Sequence, residues 1–108
     1  MTTKITLIID NPTDPAAFEQ AYQPIVQLAA KLPAVRKVES AKVWPKEDGT
    51  PTPAHRTLDL YFDSYDEASA AVQTSVAGDL FGRLAATGTS FTGLFSDIEA
   101  AESEADAE

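Results

Sequence analysis

The single histidine of this chain, His55, stands immediately before an alternating stretch, Arg56 to Ser64, that carries a carboxylate at Asp59 and a phenol at Tyr61. An imidazole is the side chain best suited to give or take a proton near neutral pH. A carboxylate in mid-strand becomes a useful base if burial raises its proton affinity. His55 and Asp59 are therefore the candidate catalytic residues, each with an ordinary competing reading. A loop histidine is often simply solvated, and a strand carboxylate can be an interface group held by Arg56, Lys42 or a second subunit. A second candidate region centres on Tyr22, beside a helix-interior proline, Pro24, that should remove a backbone hydrogen bond, kink the helix and open space for a ligand. Trp44, Tyr61, Phe81 and Arg83 complete the expected pocket lining, against the default that most of them are core or surface.

Other chemistries lack their residues. Zero cysteines remove disulfides, thiolate nucleophiles and Cys-based metal sites, and one histidine falls short of a zinc site. Gly78, Gly82 and Gly88 form neither GxxxxGK nor GxGxxG. No cofactor and no metal is expected.

The elements that must position these residues follow from periodicity. Lys4 to Asp10 reads as a strand with Ile5, Leu7 and Ile9 on one face. Asp14-Pro15 caps a helix whose stripe is Phe18, Tyr22, Ile25, Leu28, Ala29 and Leu32, ending at Leu32-Pro33. Val35 to Trp44 is a second strand, and Pro45 to His55 a long proline-bearing loop. The Arg56 strand puts Leu58, Leu60 and Phe62 on one face and Thr57, Asp59 and Tyr61 on the other. Ser64 and Glu67 match a capping box for a helix running to about Val76, followed by a break at Gly78-Asp79 and a short helix ending near Gly88. Thr89 to Ile98 is the last strand. The order is that of a ferredoxin-like βαββαβ α+β fold, a four-stranded antiparallel sheet with the first and third strands central and helices on one face. The face left uncovered is too apolar in places to stay wet, and a second copy would cover it.

A length of 108 residues gives one domain, taken as residues 1–98, with an acidic flexible tail over 99–108. That tail holds five of the seventeen acids, leaving twelve acids against eight bases before it. A net charge of -9 with scattered Lys and Arg argues against nucleic acid and against an anionic membrane surface. The start, MTTKITLIID, is no signal peptide, and a soluble cytoplasmic protein is expected.

Five segments together carry a resemblance: DPAAFEQAY over residues 14 to 22, LPAV at 32 to 35, the proline-bearing loop, RTLDLYFDSYDEA at 56 to 68, and the final FSDIE. Together they resemble the EthD-like family of dimeric alpha-beta barrel proteins. The resemblance implies a homodimer with two ferredoxin-like sheets face to face and a pocket between sheet and helices. Its relatives include cofactor-independent monooxygenases, isomerases and haem-dependent enzymes. The chain departs from the family where many members carry a helix histidine, since Ile25 and Val26 stand there, and where Ala34 replaces a frequent glycine. The expected function is small-molecule binding, with proton transfer or cofactor-free oxygenation of a small apolar or aromatic compound. The alternative is a non-catalytic dimeric binding or accessory protein.

Overall fold

The computed structural model describes residues 2–100. The described residues form four strands, β1 (Thr3–Ile9), β2 (Lys37–Lys42), β3 (Arg56–Phe62) and β4 (Phe91–Asp97), and three helices, α1 (Pro15–Ala29), α2 (Tyr65–Ala71) and α3 (Ser75–Ala86). The antiparallel sheet runs β2-β3-β1-β4, so the first and third strands are central, as the ferredoxin-like order requires. Of the expected acidic tail, residues 101–108 lie outside the described residues.

Alternation decides the layers. Ile5, Leu7 and Ile9 of β1 stand opposite Leu60, Leu58 and Arg56 of β3. All the apolar members of that set are at most 1% exposed beneath the helices. Burying each such aliphatic side chain is worth about 1.5–3 kcal/mol. The opposite face holds Thr6, Ile8, Thr57, Asp59 and Tyr61, all half-buried, and no helix covers it.

α1 starts as its residues dictate. Asp14 accepts from the Ala17 amide at 3.2 Å, and Pro15 occupies the first turn, where its missing N–H removes nothing. Pro24 lies inside the helix, but the space expected beside Tyr22 is filled. Two residues turn about 200° around a helix, so Tyr22 faces the sheet while Pro24 faces outward. Tyr22 is 1% exposed and stacks on Phe18, with ring centroids 5.3 Å apart.

The second helical region departs from expectation. Its break falls at Val72 to Thr74, not at Gly78-Asp79. Thr74 ends one helix and starts the next, its hydroxyl donating to the Ala71 carbonyl at 2.7 Å and accepting from the Ala77 amide at 3.3 Å. Gly78 sits inside α3, where a glycine costs about 1 kcal/mol without stopping the helix. Gly88, with φ +73°, follows the end of α3, where a left-handed residue is needed. Ala34 also has a positive φ, 66°, in the turn between α1 and β2. An alanine there carries strain of about 1–2 kcal/mol that a glycine would not.

β2 is shorter than Val35 to Trp44. Trp44 lies beyond it and is 86% exposed. The Val43 amide still donates to the His55 carbonyl at 3.0 Å, carrying the β2–β3 pairing one step further before Pro45.

Candidate functional site

The ionisable groups gather where the start of β3 meets α1. Arg56 shares the side of Leu58 and Leu60 and so faces the helices. There it grips Glu19, which follows Phe18 on α1. Arg56 Nε donates to Glu19 Oε2 at 3.1 Å, and Arg56 Nη2 donates to Glu19 Oε1. His55 Nε2 lies 3.0 Å from the same Oε2. The His55 and Arg56 side chains are only 12% and 16% exposed, and that of Glu19 is 29% exposed.

These contacts fix the charge of the carboxyl. The Arg56 hydrogen bonds, opposed by burial and helped by His55, lower Glu19 to about 2. Arg56 rises in turn because Glu19 accepts from it. Two ring contacts hold these side chains from the other side: the Arg56 guanidinium lies 5.2 Å from the Tyr22 ring centre, and the His55 ring meets Phe18 edge-on at 5.4 Å. The His55 backbone is pinned as well, its N–H donating to the Ile9 carbonyl at 2.7 Å.

Tyr22 packs beneath this cluster with its hydroxyl 3.2 Å from Ser40 Oγ. Burial pushes its phenol up, so it stays protonated. It lines neither the cleft at Trp44 nor the one at Arg83 and is a core residue with a satisfied hydroxyl.

His55 and Asp59 do not form one site. Strict alternation would put them on the same face, but His55 sits in a bend before β3 and its ring turns to α1. Asp59 stays on the uncovered face, accepting from Thr6 Oγ1 at 2.5 Å. Arg56 is therefore no partner for Asp59. Tyr61, also on that face, donates to Glu39 Oε1 at 2.5 Å, and Lys37 completes the group at 3.1 Å from Glu39 Oε2. The Glu39 bond pushes Tyr61 up to about 12, which leaves it a poor proton donor.

The expected pocket lining is likewise dispersed. Trp44 lines a mostly apolar cleft of about 480 Å³ with Lys42, Val43 and Pro45. Arg83 borders a separate cleft of about 250 Å³ with Ala21 and Pro24, and pairs with Asp79 at 3.2 Å one turn earlier. Phe81 stacks on Phe91 at 6.2 Å as packing between α3 and β4. Among the described residues no group of three His, Cys, Asp or Glu side chains is placed to hold a metal ion.

Glu19 is the residue that sequence reasoning missed. Its signal was present: it stands three residues before Tyr22, and Arg56 has the parity of the buried strand positions.

These features define a ferredoxin-like α+β protein with a carboxylate-held histidine at one end of its helix-covered face. No family model matches the sequence. A relative from Rhodococcus erythropolis, described as an uncharacterized 11.0 kDa protein in the thcB-thcC intergenic region, is 35% identical over 69 residues, spanning 63% of this chain and 66% of the relative. The structure resembles an ethyl tert-butyl ether d (EthD) family protein from Bacillus halodurans, with TM-score 0.83 at 18% identity over 91% of this chain and 99% of that one. It also resembles SnoaB, a cofactor-independent oxygenase from Streptomyces nogalater, with TM-score 0.68 at 10% identity over 93% and 95%. A dimeric protein of unknown function and ferredoxin-like fold from Bacteroides fragilis gives TM-score 0.68 at 15% identity over 90% and 96%. The chain has the fold of the EthD-like, ferredoxin-like proteins. No helix of the described residues is long and apolar enough to cross a membrane.

Proposed function

We propose that this chain is an EthD-like small-molecule-binding protein that works as a homodimer and takes a small apolar or aromatic compound against Trp44. The observation that carries the reading is the cleft of about 480 Å³ at Lys42 to Pro45, whose lining is largely apolar and whose indole stands 86% exposed. An indole left in water is costly unless something stacks on it. A small compound also suits a chain of net charge -9 better than nucleic acid or an anionic membrane does. The fold shared with an EthD family protein and with a cofactor-independent oxygenase supports the ligand class. The absence of cysteine is in keeping with a cytoplasmic protein.

The dimer uses the uncovered sheet face. Ile8 is half-buried there and Leu94, which pairs with Thr6 across β1 and β4, is 46% exposed. Asp59 and Tyr61 already have hydrogen-bond partners in Thr6 and Glu39, which lowers the cost of taking them into such an interface. The likeness to a dimeric ferredoxin-like protein supports this arrangement. A non-catalytic binding role is favoured by the filled space between α1 and the sheet, where Tyr22 and Ile25 are at most 1% exposed.

Trp44 is the single tryptophan, so its fluorescence reports the cleft directly. Titration with phenol, naphthol and acetophenone should give saturable quenching by at least one of them. Only linear, non-saturating changes with all three would overturn the reading.

A further inference from the structure

Lys42 at the end of β2 stands directly opposite Arg56 at the start of β3, so both belong to the helix-covered side of the sheet. The carboxylate at that end, Glu19, is already taken, accepting from Arg56 Nε and Nη2 and lying against His55. Asp59 lies on the other face, bonded by Thr6, and Asp48 in the following loop accepts from the Thr50 hydroxyl at 2.6 Å. Among the described residues no carboxylate pairs with the Lys42 ammonium. That charge borders the cleft of about 480 Å³, which Lys42 lines together with Val43, Trp44 and Pro45. Pro45 favours an extended Trp44, so the backbone positions of Lys42 and Trp44 are about 6–7 Å apart, within reach of a lysine's four-carbon stem. The cleft at Arg83 differs, because Asp79 pairs with that cation.

We infer that Lys42 sets the class of ligand: the cleft takes a small aromatic carboxylate, its ring against Trp44 and its carboxylate on the Lys42 ammonium. This deepens the proposed function and rests on it for the existence of a ligand. An aromatic ring stacks on the exposed indole, and an ammonium offers its donors to an acceptor-only carboxylate. A neutral compound uses the ring contact alone and leaves the ammonium to water. The net charge of -9 opposes anions at long range, but at about 0.1 M salt charges more than about 10 Å away are largely screened, so the adjacent lysine decides. The same net charge weighs more heavily on a doubly charged phosphate than on a singly charged carboxylate. Lys42 acts by touching the ligand, and no covalent bond is made or broken.

The indole N–H of Trp44, the single tryptophan, gives one cross-peak in nitrogen-15 spectra, and its shift reads binding. At about 0.1 M salt, naphthoate should bind about fivefold tighter than naphthylmethanol of the same substitution, as a partly exposed ion pair allows. Lys42→Gln should abolish that preference without weakening the alcohol, and Lys42→Arg should keep it. Lys46→Gln, which removes the same charge outside the cleft lining, should also keep it. Equal or weaker binding of naphthoate to the wild type would overturn the inference, as would a preference that survives Lys42→Gln or is lost in Lys46→Gln. A saturable shift with the alcohol in any of those cases leaves the Trp44 ligand site standing. No saturable shift with either compound removes that site and the inference with it.

Discussion

The two faces of the sheet carry the same kinds of side chain and use them differently. On the helix side, a carboxylate, a guanidinium and a phenol are drawn under α1: Glu19 takes hydrogen bonds from two residues and Tyr22 is 1% exposed. On the other side Asp59 is bonded by Thr6, and Tyr61 by Glu39, in half-exposed positions. Screening by water makes the second set weak in isolation. What separates them is the neighbour above each: a helix covers one, and the other faces open space that we assign to a second subunit.

That contrast can be broken at several points. Phe62, fully buried under the helices, should lose about 3–5 kcal/mol on truncation to alanine, read by urea denaturation. Equal losses at Phe62 and at the adjacent Tyr61 would erase the distinction between the faces.

Acid should act through Glu19. Its carboxyl is lowered from 4.5 to about 2 in the folded protein. The unfolded chain therefore takes up the proton first, and the stabilisation is complete above the unfolded value and lost as pH falls through the folded one. The loss is on the order of 1–3 kcal/mol, since the group is partly exposed. Arg56→Met should flatten this part of the stability profile; an unchanged slope would count against the Glu19–Arg56 pairing.

A smaller gain is expected from Ala34→Gly, about 1 kcal/mol, because glycine adopts φ 66° without strain. A loss on thermal unfolding would contradict the turn geometry. The smallest effect belongs to Tyr61→Phe, which removes the bond to Glu39 and should change monomer stability by less than about 1 kcal/mol. Its effect should show in dimer dissociation instead.

Legibility in the sequence followed the strength of the local signal. The alternation of Ile5 to Ile9 and of Leu58 to Phe62 is unbroken, so strand order, faces and core were readable. The Asp14 and Ser64 caps were readable because a short polar side chain at a helix start has one good use. The break between α2 and α3 was not, since Thr74 is an ordinary residue until its hydroxyl is seen to serve both helices and Gly78 offered a stronger but misleading signal. For the site, His55 was found but its partner was not. His55 was read as a loop residue at the mouth of the strand with no fixed partner, and the bend there turns its ring to α1, away from Asp59. Glu19 lies 36 residues away in the chain, a distance that local patterning does not bridge.

The division of labour between the faces rests on the uncovered one being an interface. Light scattering at micromolar concentration measures this directly. The account predicts twice the chain mass of 11.5 kDa, shifting toward a single chain when Leu94 is changed to glutamate while the circular dichroism spectrum is unchanged. A wild-type mass of 11.5 kDa would contradict it.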